Sequence, residues 1–319
     1  MSNTRFLLAE FIKQGSISED KIPDALRVTK LTPNGQAWLS FLDRFLLIIG
    51  AVALVSALTF FIAYNWAEMA KWAKFALVEV FIVLAVFAYW KLGVRQLSAK
   101  IALLTASLLL GALLALYGQT YQTGADTWQL FFNWALLILP WVLLSQFSVL
   151  WIVFLFLLNL SLVLYVGTFG GIFGLYFSSE LQLLWVLFAL NAVTLLVWEY
   201  VSQSKVWLQA IWATRILAFV SGASITVLVV SYIDSPVNNS IFSVLIWFNY
   251  LLVLYIYYRK KKLDLFMLAG GCLSVSIVIL TFVSQYIETG SSLVFSLLII
   301  ALGGASSMWL KKVQQEIQS

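Results

Sequence analysis

Histidine is absent from this chain of 319 residues, cysteine occurs once, and charged side chains make up only 10% of it. Each scarcity excludes something. Without histidine the usual general base near neutral pH and the commonest metal ligand are missing, and neither a Ser-His-Asp nor a Cys-His constellation can be assembled. The lone Cys272 lies in the apolar run from Leu268 to Leu280, cannot form an internal disulfide, and reads as a small packing residue. Charge is also short: an ordinary soluble domain carries about 25%. What fills the chain is apolar, 62% of the residues against roughly 45–50% in soluble proteins. No water-soluble fold hides that much apolar surface. A spanning helix needs about 20 mostly apolar residues, so ten would use about 200 positions. The sequence therefore predicts an all-α, polytopic transmembrane helical bundle of about ten spanning helices, preceded by a short cytoplasmic helical hairpin.

The formal net charge is +5, but the basic residues sit at the ends of apolar runs, where membrane topology accounts for them. The expected partner is the lipid bilayer, with a protein partner or a second copy left open; nucleic acid is excluded, and no cofactor or metal is expected. The polar start, Met1 to Lys30, lacks the apolar core and small-residue cleavage site of a leader and reads as a cytosolic appendage. Within it, Arg5 to Gln14 forms a short helix closed by Gly15 in the C′ position, and Ser16-Ile17-Ser18-Glu19 has capping-box spacing for a second, with Pro23 in its first turns. Pro33-Asn34-Gly35 marks a turn, after which Gln36 to Arg44 leads into the membrane. The domain division expected is 1–40 for the hairpin and 41–319 for the membrane domain.

Ten segments fall near Phe45–Tyr64, Phe75–Trp90, Ile101–Tyr117, Gln129–Leu144, Val149–Val166, Leu181–Val197, Ile216–Tyr232, Ile241–Tyr258, Leu265–Ile287 and Ser292–Leu310. With a cytoplasmic N-terminus, every basic residue except Lys71 and Lys74 lies inside, and Glu68, Asp126, Glu180, Asp234 and Glu288 collect outside. The positive-inside rule selects that orientation, with both termini cytoplasmic. An odd number of segments would put Arg259–Lys262 outside, so the count must be even.

Gly167 to Ser179 is either an external loop or a re-entrant segment. Trp66 to Phe75 mixes aromatic and charged residues at helical spacing and reads as an interfacial helix. A parallel duplication relating 44–144 to 215–310 is suggested by Arg44 and Arg215 at two segment starts, and by Gln119-Thr120-Tyr121 with Thr123-Gly124 against Gln285-Tyr286 with Thr289-Gly290.

Among polar residues, Glu79 lies inside the second segment, where an ionisable group is costly. It is either functional or a shallow carboxylate that is hydrated or paired with Lys71. Arg215 is expected as an anchor at the cytoplasmic face. Asn133, Asn159, Asn191 and Asn249 are expected to bond across helices, and Gly270-Gly271 and Gly303-Gly304 to allow close helix approach. Pro140 frees a backbone carbonyl in the fourth segment. The densest cluster is Tyr117 to Trp128, where Gln119, Tyr121, Gln122 and Asp126 offer donors and acceptors at the membrane surface. That loop either binds a head group, sugar or partner, or is a self-satisfied turn.

Three motifs in order carry a resemblance. Phe11-Ile12-Lys13-Gln14-Gly15-Ser16-Ile17-Ser18-Glu19, then Tyr64-Asn65-Trp66, then Gly118-Gln119-Thr120-Tyr121 with Asn133-Trp134-Ala135-Leu136-Leu137 and Leu139-Pro140 together resemble the DUF2157 family of prokaryotic membrane proteins, over roughly residues 6–160. The resemblance implies a bacterial inner-membrane protein and assigns no chemistry. It marks Asn65, Trp66, Gly118, Gln119 and Tyr121 as motif positions; Gln122 stands where members carry histidine, which argues against a metal or proton role there. With Glu79, Asp126 and Trp128 these are the candidate binding residues; none is catalytic.

The leading functional expectation is a transporter or permease-like protein handling a small solute or lipid. The alternative is a non-enzymatic membrane subunit that docks envelope partners through the hairpin and the 118–128 loop. An enzyme using Asp126, Glu68 or Glu79 is the weakest, since acid and base must meet in space.

Overall fold

The computed structural model describes residues 7–8, 11–12, 14–29, 35–171, 179–235, 241–286 and 292–318, and among them it is helical, without strands. A short helix α1 (Ile22–Val28) precedes ten long ones: α2 (Gly35–Tyr64), α3 (Lys71–Leu92), α4 (Leu97–Tyr121), α5 (Thr127–Ser145), α6 (Ser148–Phe169), α7 (Ser179–Ser202), α8 (Ile211–Asp234), α9 (Phe242–Ile256), α10 (Leu265–Ser284) and α11 (Ser292–Gln318). All ten are long and apolar enough to cross a membrane, α9 by continuing through a π-helical turn, Tyr257–Lys261. They coincide with the ten apolar runs of the sequence. In hydrocarbon each backbone N–H and C=O must be satisfied within its own segment, so an apolar run has no alternative to helix. Ser and Thr inside the spans also bond back to the carbonyl one turn earlier, as Thr105 does to Ile101 at 2.9 Å. α5 runs through Pro140 unbroken.

The hairpin is legible only in part. Gly15 has φ +70°, its N–H donates to Ile12 O and that of Ser16 to Phe11 O, a Schellman closure as its position predicts. The second helix does not open at Ser16, whose N–H is taken by Phe11 O. A 3₁₀ turn, Glu19–Lys21, intervenes, and α1 starts from Lys21 with no side-chain cap, Pro23 lying in its first turn. Pro supplies the helical φ there and the N–H it lacks needs no partner, so the start does not depend on a Ser16 hydroxyl. Trp66 to Phe75 is not an interfacial helix either. Asn65–Glu68 is a turn, and Lys71 opens α3 itself.

The chain divides into two compact units, one ending at Leu116 and the other Tyr117–Ile317. In the first, Leu58 and Ile62 of α2, Val78 of α3, and Leu109 and Leu116 of α4 form the core. α2, at 30 residues, is about 45 Å long, more than the roughly 30 Å of a hydrocarbon core. Its first turns, with Trp38, Asp43 and Arg44, therefore stand outside the hydrocarbon.

In the second unit α8 is central. It packs against α7, α10 and α9, and buries Ala213, Ala218, Ser221 and Ser224. Small residues let helices approach in lipid, where burial supplies no hydrophobic drive between them. Helices come near at Gly222 and Gly271, where a Cβ would lie 3.8 Å from the Tyr250 ring and from Leu251, in ordinary contact. The expected approach at Gly270 and Gly303-Gly304 is absent: a Cβ at any of these would meet nothing within 4 Å. α5 pairs with α6, and Asn159 of α6 and Asn191 of α7 exchange amide hydrogen bonds, the shorter 2.6 Å from Asn191 Nδ2. The stretch read as an external loop or a re-entrant segment falls largely on 172–178, and the Thr289-Gly290 arm of the suggested duplication on 287–291, both outside the described residues.

Candidate functional site

One end of the second unit gathers its charge. It holds the start of α6, the link from α7 to α8, the turn from α9 to α10, and the end of α11. Glu199, in the last turn of α7 and only 7% exposed, is the hub. Its carboxylate accepts from Tyr258 OH at 2.8 Å, Tyr257 OH at 3.1 Å, and Lys262 Nζ at 2.9 and 2.8 Å. The π-helical turn explains how two consecutive tyrosines reach one acceptor. The wider turn displaces the backbone where α9 ends, and Lys262 N–H closes it on Tyr257 O.

Beside the hub, Arg215 grips Asp264 with both arms, Nε to Oδ2 at 3.0 Å and a terminal nitrogen to Oδ1 at 2.9 Å. Asp264 also accepts from Phe266 N at 2.9 Å and so caps α10. The Arg215 guanidinium lies over the Phe266 ring, 5.0 Å from its centre. Arg259 pairs with Glu316 of α11. Neutral contacts knit the same end: Ser148 donates to Trp207 O, and Trp198 Nε1 to Leu208 O at 2.9 Å. The three carboxylates are each matched by a cation, leaving exposed Lys205, Lys260, Lys261, Lys311 and Lys312 outside these pairs. At the opposite end of the unit, Gln285 Nε2 donates to Asp234 at 2.8 Å.

Mid-depth between α8, α9 and α10 lies a hydroxyl layer. Ser221 Oγ and Tyr250 OH are 2.8 Å apart, Thr226 and Ser274 hydroxyls 2.6 Å apart, and Trp247 Nε1 donates to Ser274 Oγ at 2.8 Å. Among the described residues no three or more Cys, Asp or Glu side chains come together as a metal would require.

Of the residues singled out in the sequence, Asn65, Trp66 and Glu79 belong to the first unit, and Gly118, Gln119, Tyr121, Asp126 and Trp128 to the second. Asn65 Nδ2 donates back to Phe61 O at 2.8 Å, closing α2. Trp66 covers Lys74, whose ammonium sits 3.8 Å from the ring centre and is buried. Glu79 is exposed on α3 and shows neither the expected pair with Lys71 nor a hydrogen bond to another described residue. Gly118, Gln119 and Tyr121 belong to the last turn of α4, which extends to Tyr121, with Gln119 and Tyr121 exposed. The connecting loop is thus shorter than expected; Gln122 takes φ +45° and Gly124 φ +64°. Asp126 precedes α5 without a side-chain cap bond. Trp128 packs edge-on against Tyr165, 5.0 Å between ring centres, and its indole N–H and the Thr120 hydroxyl are buried without a partner among the described residues. Arg215, expected as an anchor at the end of its helix, is ion-paired there with Asp264.

Sequence reasoning passed over Glu199, Asp264, Tyr257 and Tyr258. A signal was available: Glu199 and Asp264 are carboxylates at helix ends whose other charges are basic, and an acid retained there has a local cation to meet.

No curated protein and no solved structure matches the chain. The model of the family described as "Predicted membrane protein (DUF2157)" matches residues 9–151, from the N-terminal segment to the start of α6, and the chain is similar to that family over this stretch of an integral membrane protein with multiple spans.

Proposed function

We propose that the protein is a non-enzymatic, permease-like handler of a small solute or lipid in a bacterial inner membrane, with both termini cytoplasmic. One observation carries this reading: three ion pairs latch the second unit at its basic end, while mid-depth the interfaces of α8, α9 and α10 are lined by hydroxyls. Ion pairs that join helix ends can be broken and remade at moderate cost when partly hydrated, as a gate requires, and polar groups at membrane depth mark pathways. The exposed lysines at the latched end favour the cytoplasmic side for it by the positive-inside rule. In this reading Gln119, Tyr121, Asp126 and Trp128 stand at the opposite mouth, and Asn65, Trp66 and Glu79 serve the first unit. The parallel duplication of 44–144 and 215–310 belongs to the same reading.

The test needs no knowledge of the substrate. In a Cys272→Ser background, Thr226→Cys is probed with a membrane-impermeant maleimide from each side of oriented vesicles. A permease exposes this position to the non-cytoplasmic side, and adding Glu199→Gln with Asp264→Asn shifts reactivity toward the cytoplasmic side by about tenfold. Equal silence from both sides in both proteins sinks the reading. The membrane-subunit alternative then stands, favoured by the apolar side chains that the hairpin leaves exposed: Leu7, Phe11 and Val28, the last 82% exposed.

A further inference from the structure

α11 is attached to its unit chiefly at one end, with a single side-chain bond further along, between Ser306 and Cys272 of α10. Trp309, Leu310 and Val313 join the core at the basic end, and Glu316 pairs with Arg259, whereas the apolar length of α11 is unburied. Between α10 and α11 this leaves a cavity of about 710 Å³, lined on α10 from Leu265 to Leu280 and on α11 from Ile299 to Gln314. The α10 side spans 15 residue steps, about 22 Å along the axis, more than the roughly 15 Å of hydrocarbon in one leaflet. Gly303, Ser306 and Ala269 keep the trough low, and a Cβ at Gly303 would meet nothing within 4 Å. Leu273, Ile277, Leu280, Ile299 and Leu302 supply the apolar walls.

The cavity changes character at its basic end. There Lys311 and Gln314 line it beside Phe266, the ring on which Arg215 lies. Lys311 is exposed and outside the ion pairs described above, and Lys312 adjoins it. An apolar channel of that length ending in an unspent ammonium and an amide is complementary to one amphiphile: an acyl chain beneath an anionic head group. A neutral lipid would leave the lysine without a counter-charge, and a protein helix would leave the trough at Gly303 unfilled unless it carried an acid at one end. Basic recesses between transmembrane helices on the cytoplasmic side are also where anionic head groups are held.

We infer that the α10–α11 groove binds an anionic phospholipid of the leaflet at the basic end, one acyl chain lying along Gly303 and the phosphate on Lys311. Binding goes beyond the permease reading and does not require it.

The experiment is native mass spectrometry of the full chain released from nanodiscs made of equal phosphatidylglycerol and phosphatidylcholine. Phosphatidylglycerol should be retained over phosphatidylcholine by tenfold or more. Gly303→Leu, which fills the trough, should abolish retention of either lipid. Lys311→Gln should cut the preference about fivefold, the share of one cation near an anionic surface, and Lys205→Gln, an exposed lysine outside the groove, should leave it unchanged. Equal retention of the two lipids overturns the inference, as does indifference to both groove variants, an equal loss with Lys205→Gln, or a lipid-free dimer. Since no step of this reads movement of Thr226→Cys between sides, a bound lipid with a silent Thr226→Cys refutes the permease and leaves the site standing.

Discussion

Glu199 receives donors from positions 58, 59 and 63 residues further along the chain, a separation no local pattern reports. Its three donors are not equivalent. Tyr258 is 2% exposed and its bond is the shorter of the two phenolic ones, whereas Tyr257 is less buried and 3.1 Å away. A hydrogen bond to a charged group contributes about 1.5–3 kcal/mol in water-soluble proteins, and interhelical bonds in bilayers average about 0.6 kcal/mol. Tyr258→Phe is therefore expected to destabilise the protein by about 1.5 kcal/mol and Tyr257→Phe by less than half of that, read as thermal midpoints in bicelles. Identical losses would contradict the ranking that burial and length impose. The same scale explains why the sequence pointed at Asn65 and Trp66 without revealing their roles: a back-bond to Phe61 and a lid on Lys74 are contacts, and residue identity alone does not state them.

At the scale of elements, what was legible is what chemistry forces locally. An apolar run of span length in a bilayer has to be helix, so all ten spans could be read off; Gly15 could be placed because a helix ending in left-handed backbone favours glycine. The second helix opens later than the Ser16-to-Glu19 spacing predicts, because Pro23 in the first turn offers another local start at no cost in unmet donors. Close approach was misassigned because a glycine pair permits contact without causing it, and at Gly303-Gly304 no neighbour comes. Asp264 shows one side chain serving two elements: it caps α10 through Phe266 N and holds α8 through Arg215. The two roles separate by substitution. Asparagine caps about as well as aspartate, whereas alanine forfeits about 1 kcal/mol of capping. Asp264→Asn should thus lose only the ion pair and Asp264→Ala lose both, a further drop of about 1 kcal/mol. In an Arg215→Met background the Asn substitution should cost much less than in wild type, because the pair is already gone. Equal midpoints for Asp264→Asn and Asp264→Ala would show that the cap contributes nothing.

Across the whole molecule, orientation follows from charge that pairing does not consume. Arg215, Arg259 and Lys262 are spent on Asp264, Glu316 and Glu199, and a topology argument resting on those three alone would be weak. Lys205, Lys260, Lys261, Lys311 and Lys312 remain exposed at the same end of the second unit, so the positive excess on which the proposed orientation rests survives the pairing. The loop between α4 and α5, carrying Asp126, ends the unit on the other side, because α5 and α6 run antiparallel through a link at Gln146 and Phe147 that lies with the basic end. In a Cys272→Ser background, Lys260→Cys should react with an impermeant maleimide only after the vesicle interior is opened, and Asp126→Cys in intact right-side-out vesicles. The reverse pattern would turn the molecule over and place the ionic latch outside. Both positions reacting from one side would mean that an odd number of helices fails to cross between residues 126 and 260.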